Sequence, residues 1–175
     1  GRWTDMAMVG SRPVVVHTDE SNGALLLSTL VDGEWETATI YQSSDTPGVL
    51  PDGTDGVLAA EVLHPKILVE GDELHIVAYD AARGQLQLLS GEADALSGAD
   101  FGTQVIEGAG AGAWPSMVLH DGEVHIAYQH VADQVLRLAV RDGSTWQIET
   151  VDSGPMRGAD TELYVDADGN LRVLY

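Results

Sequence analysis

The sequence predicts an all-β chain, a β-propeller of three complete four-stranded antiparallel blades followed by half of a fourth. Three observations predict it: a gapless internal repeat, Asp-Gly hairpin signals recurring inside that repeat, and the lack of any convincing helical period. Pro65 to Asp80 (PKILVEGDELHIVAYD) aligns with Pro115 to His130 (PSMVLHDGEVHIAYQH) at a constant offset of 50. Glu73 meets Glu123, His75 meets His125 and Ile76 meets Ile126. A third copy, Thr161 to Tyr175, carries one extra residue in its turn, and a fourth, Asp5 to Asp19, a shortened one.

Each unit divides into four short β-type runs, which places the blades at about 5–41, 62–107 and 114–152, with a partial blade at 161–175. Asp32-Gly33, Asp121-Gly122 and Asp142-Gly143 are hairpin turns, because glycine tolerates the positive φ such turns require. Strand two is apolar nearly throughout (LHIVAY, VHIAY), as expected of a strand whose blade is stacked on both faces. Trp35 and Trp146 each follow an Asp-Gly turn and open strand four, and both read as blade-packing residues. Residues 42–61 form an acidic insertion between blades, and Ala59 to Leu63 is too short to stand as a helix.

Charge excludes several functions. Twenty-eight acidic residues against eight basic ones give a formal net charge of −20. Such a surface repels phosphate backbones, so nucleic acid is excluded as a partner. No apolar run approaches the roughly 18 residues of a spanning helix, so membrane insertion is not expected. With no cysteine, the chain has no disulfide, thiolate metal site or cysteine nucleophile.

The segment from Pro115 to Tyr128, followed by Leu-Arg-Leu-Ala-Val-Arg-Asp-Gly-Ser-Thr-Trp (136–146), resembles propeller repeats of bacterial secreted and surface proteins. These repeats are distantly similar to sialidase-type BNR propellers. Asp142 to Trp146 (DGSTW) is close to the sialidase Asp-box but one residue short between aspartate and tryptophan. The resemblance covers nearly all of residues 5 to 175 and concerns scaffold, not site. It implies an extracellular or cell-surface location.

Candidate sites follow from the repeat register. Links from strand four to the next blade, and turns after strand two, share one face, where long loops on a rigid scaffold tend to recognise ligands. That selects Asp19, Asp80, Trp114, His130, Arg157 and Asp160 as ligand-binding candidates. Trp114 is either a blade-packing ring or a stacking platform. Asp45, Asp52 and Asp55 lie within eleven residues of the insertion; solvated loop charge is their ordinary state and calcium coordination the functional alternative. Asp166-Ala-Asp168-Gly-Asn170 reads as an Asx-rich hairpin turn, its spacing not being that of an EF-hand. His75 and His125 share a position that Val14 and Arg172 occupy in the other copies. They therefore read as blade-interface histidines with locally satisfied nitrogens. The glycine-rich EGAGAGAW stretch (107–114) precedes no helix and reads as an inter-blade loop.

Acidic residues are too abundant for any pair to stand out as glycosidase carboxylates, and no serine sits in a nucleophile elbow. The expectation is therefore a non-catalytic binding or scaffold propeller that recognises protein or glycan and needs no cofactor. The alternatives are a fragment of a propeller glycoside hydrolase and a calcium-stabilised adhesion module. The last hairpin would leave an unpaired edge, to be completed by further blades or by self-association.

Overall fold

A computed structural model describes residues 2–49, 54–94, 100–108 and 110–175. The first sheet comprises β1 (Arg2–Val9), β2 (Arg12–Asp19), β3 (Ala24–Val31) and β4 (Glu34–Gln42), hydrogen-bonded in chain order. A small hairpin of β5 (Thr46–Val49) and β6 (Asp55–Leu58) follows. The second blade is β7 (Val62–Glu70), β8 (Glu73–Asp80), β9 (Gln85–Glu92) and β10 (Gly102–Glu107). The third is β11 (Ala111–His120), β12 (Glu123–His130), β13 (Val135–Asp142) and β14 (Thr145–Asp152), and β15 (Glu162–Val165) with β16 (Leu171–Leu174) forms the final hairpin. Every pairing is antiparallel. The fold is a β-propeller. Its innermost strands β1, β7, β11 and β15 touch in that order.

The core lies between blades. Val14, Val16, Leu25, Leu27 and Ile40 of blade one pack on Leu74, Ile76, Ala78 and Leu89 of blade two. The other face of blade two, with Val77, Leu86, Leu88 and Ile106, packs on Val124, Ile126, Tyr128 and Ala139 of blade three. Blade three in turn covers Leu163 with Ala127 and Leu136. A strand between two neighbours thus buries both sets of side chains, so the apolar run needs no polar alternation.

One backbone latch repeats at each junction. The link leaving a blade donates an amide to the carbonyl just before that blade's own third strand: Ser43 to Gly23 (3.0 Å), Gly110 to Gly84 (2.9 Å) and Arg157 to Gln134 (2.9 Å). Gly23, Gly84 and Gln134 all have positive φ. At Gly23 an added Cβ would lie 2.5 Å from the Cβ of Ala60, so glycine is required there by space as well as by backbone.

A polar lock accompanies the latch. In the third repeat Tyr128 donates its hydroxyl to Glu107 (2.7 Å), at the end of the previous blade's strand four, and Arg137 closes on Glu107 and Asp133. Tyr175, at the same repeat position, donates to Asp152 (2.6 Å), again at the end of the preceding strand four. Between blades one and two the polarity is inverted. Tyr41 sits at the end of strand four and donates to Asp80 (2.7 Å), which also accepts from Ser43 and Arg83.

The two strand-four tryptophans differ. Trp146 packs with Met117 against the blade-two interface, its Nε1 buried without a partner. Trp35 is 55% exposed, which corrects the expectation that it packs between blades. In β4 it pairs with Leu30 and alternates with Ala38, the neighbour of core residue Leu27. Trp35 therefore faces away from blade two. The paired histidines also diverge. His75 has both nitrogens bonded, to Ser90 (2.8 Å) and Glu70 (3.0 Å). His125 is corrected: its Nδ1 is buried and unpartnered, and the ring meets His120 edge-on.

Candidate functional site

The entry of each innermost strand presents the same local structure four times. Trp3, His64, Trp114 and Asp160 occupy equivalent repeat positions, and all four have positive φ, between 47° and 56°. None is glycine, so each holds a conformation that costs about 1–3 kcal/mol and persists only where surroundings impose it. Such outliers gather at functional sites. Here they meet around a single cavity of about 330 Å³, lined also by Thr4, Pro65, Lys66, Pro115, Thr161 and Glu162.

Aromatic contacts set the wall. The His64 ring stacks on Trp114 at 4.8 Å and takes Trp3 edge-on at 4.3 Å. The Trp114 amide donates to His64 Nδ1 (3.3 Å), so in the neutral ring the proton resides on Nε2. Burial holds His64 down to about 4, while the charge of Asp160 acts weakly in the opposite direction. At neutral pH the ring is therefore an uncharged donor through Nε2–H. Thr161 anchors the fourth side by donating to the Trp114 carbonyl.

The third position of this ring, two residues on, holds Asp5, Lys66, Ser116 and Glu162. Asp5 accepts the Ile67 amide (2.9 Å) and Ser116 accepts the Leu163 amide (2.9 Å), each bridging to the next blade's innermost strand. An ammonium cannot accept, so Lys66 has no such bridge to make.

Two of the residues selected from the sequence, Trp114 and Asp160, line this cavity; the others lie elsewhere. Asp19 caps its own turn, accepting from the Ser21 amide (3.0 Å) and Asn22 (2.6 Å), and the Asn22 bond holds its carboxyl below the usual range. Asp80 is buried in the lock between blades one and two. His130 is buried against Asp133 (3.1 Å), and Arg157 pairs with Asp152 (3.4 Å). Asp45 accepts the Ala60 amide (2.8 Å), Asp55 opens β6, and Asp52 lies outside the described residues. Among the described residues no group of three His, Asp or Glu side chains is arranged to hold a metal ion. Asp166 caps its turn through the amides of Asp168 and Asn170.

Trp3, His64, Lys66 and Glu162 were not selected from the sequence. A signal for them exists: His64 and Trp114 each precede the proline that opens the aligned repeat, and Trp3 and Asp160 hold the same register. Register alone does not show that this position is left-handed and turned to the axis.

The sequence matches no family model and no curated protein. Solved structures share the fold. Over 92% of this chain and 22% of the other, it superposes on a bifunctional GH43-CE protein of Bacteroides eggerthii at 13% identity, TM-score 0.59. A GH43 endo-arabinanase from Bacillus licheniformis matches over 93% of this chain and 61% of its own, at 14% identity and TM-score 0.55. A family 117 glycoside hydrolase of Zobellia galactanivorans matches over 99% and 66%, at 14% identity and TM-score 0.52. The chain spans less than two thirds of each of these proteins. At such identity the likeness is one of fold. It supports the propeller and extends the sialidase-type resemblance no further than that. The expectation of a non-catalytic binding module is corrected, because the propellers that match are glycoside hydrolases and the alternative reading fits them better.

Proposed function

We propose that the chain is part of a propeller glycoside hydrolase, and that the mouth formed by Trp3, His64, Trp114 and Asp160 is where it meets its sugar. The composition of this one cavity carries the reading. Trp3 and Trp114 offer ring faces to the apolar side of a sugar, and His64 offers a neutral Nε2–H to a hydroxyl. Asp160 and Glu162 bring two carboxyl groups to the same wall, the number that glycosidic hydrolysis ordinarily uses. The strained backbone at all four ring positions supports the same reading. So does the fact that the matching propellers are named glycoside hydrolases.

The test is reducing-sugar release from a panel of neutral and acidic oligosaccharides. The parent chain should turn over at least one class. Asp160→Asn and Glu162→Gln should each lower turnover about 100-fold or more with the melting temperature unchanged. A parent without turnover on any member, or carboxamide variants as active as the parent, would overturn the proposal.

A further inference from the structure

We infer that the sugar this cavity takes is acidic, its anionic substituent held by Lys66; this rests on the cavity being the sugar site. Lys66 is the one lysine of the chain, and seven arginines make up the other basic residues. Five arginines are committed to carboxylates: Arg12 to Asp94, Arg83 to Asp80, Arg137 to Glu107 and Asp133, Arg157 to Asp152, and Arg172 to Asp166. Arg141 bonds the Gly143 carbonyl. Lys66 has no carboxylate within ion-pair distance among the described residues, in a chain that carries 28 acidic ones, and it lines the cavity.

Register explains why it is left over. At the equivalent position Asp5 and Ser116 accept an amide from the neighbouring blade, a structural use closed to lysine. The side chain at this position in blade two therefore contributes a half-buried cation to the cavity wall instead of a bridge. Placement gives it a partner chemistry. Lys66 belongs to blade two, Glu162 opens the final hairpin with Asp160 two residues before it, and Trp114 and Pro115 belong to blade three between them in chain order. A saccharide laid across Trp114 meets a cation at one end and the carboxylates at the other. An anionic substituent is matched at the Lys66 end and repelled at the carboxylate end, which fixes the direction in which the sugar lies. The net charge of −20 opposes approach of long polyanions, so short oligomers are the fitting ligands. A uronate carboxylate and a sulfate ester present the same chemistry to an ammonium.

The experiment is calorimetric titration of the chain with three trisaccharides: a galacturonide, a sulfated galactan oligomer and neutral galactotriose. The parent should bind at least one anionic ligand about tenfold or more tightly than the neutral one, the difference one charge-assisted hydrogen bond makes. Which anionic arm responds separates carboxylate from sulfate. Lys66→Gln should erase the preference by weakening only the anionic ligand, and Lys66→Arg should retain it. Equal affinity for neutral and acidic sugars, or a preference that survives Lys66→Gln, overturns the inference and leaves the proposed sugar site standing. Failure of all three to bind overturns both. The comparison on the parent chain needs no variant, so a poorly folding substitution does not remove the test.

Discussion

Blade one and blade three have the same strand order, yet they bury different residues. In β12 every residue from Val124 to His130 is buried, whereas in β2 burial alternates, with Val14, Val16 and Thr18 buried and Val15 and His17 half-buried. The repeat aligns Val15 with Ile126, His17 with Tyr128 and Asp19 with His130. Ile126 and Tyr128 lie against blade two. The corresponding face of blade one, with Met6 and Met8 on β1 and Trp35 on β4, is exposed. Burial in this fold is therefore a property of the stack and not of the strand. The same apolar run is half core or all core according to whether a neighbour stands on each side.

The sharpest way to break this comparison is at the last residue of strand two. Asp80 is buried among Tyr41, Ser43 and Arg83, while Asp19 caps an exposed turn. Asp80→Ala should cost about 3 kcal/mol, since it removes a buried carboxylate that accepts from Tyr41, Ser43 and Arg83, while Arg83, 31% exposed, can turn to water. Asp19→Ala should leave the urea midpoint nearly where it was. Comparable losses would mean that the lock between blades one and two does not carry the junction.

Next comes the packed face itself. Ile126→Ala should destabilise by about 3 kcal/mol through lost burial and a residual cavity, and Val15→Ala by less than about 1, both read from urea unfolding at constant m. The tryptophans sharpen the same contrast at smaller amplitude. Trp146→Ala should cost about 2 kcal/mol, below the usual range because the ring is only partly covered. Trp35→Ala should fall within about 0.5 kcal/mol. A Trp35 variant as damaged as the Trp146 variant would show that the outward face of blade one is covered in solution.

The last contrast concerns the cavity. Burial holds His64 down to about 4, against its ordinary value of 6.5. Between these values the unfolded chain binds a proton that the folded chain does not, so stability falls as pH drops from about 6.5 toward 4 and levels off below. His64→Phe should flatten that part of the stability profile, measured by urea midpoints across the range. An unchanged slope would place the ring in a wetter setting than its contacts with Trp3 and Trp114 indicate.

Much of the fold was legible because its signals are local and repeated. Asp121-Gly122 and Asp32-Gly33 mark tight hairpins by backbone preference alone, and both pairs have positive φ in the structure. The cavity was legible only in part. Trp114 and Asp160 were selected as the ends of long links, and Trp3, His64 and Lys66 join them only because the innermost strands of successive blades stand together. Asp80 and Asp19 have the same side chain at the same register and differ only in what the next blade brings to them.

By itself, the sequence determined the all-β class and the four-stranded antiparallel repeat, since these follow from turn residues and apolar runs acting over a few positions; the β5–β6 hairpin in the acidic insertion had no such signal. It also determined the formal net charge of −20. Only the tertiary structure decided which tryptophan is packed, which aspartate is buried and which four residues meet at the axis. Each of those depends on contacts between residues some 50 positions apart, where stacking and not local preference sets the free energy. Lys66 makes the point most simply: the one lysine of the sequence, it becomes part of a wall only when four innermost strands stand side by side.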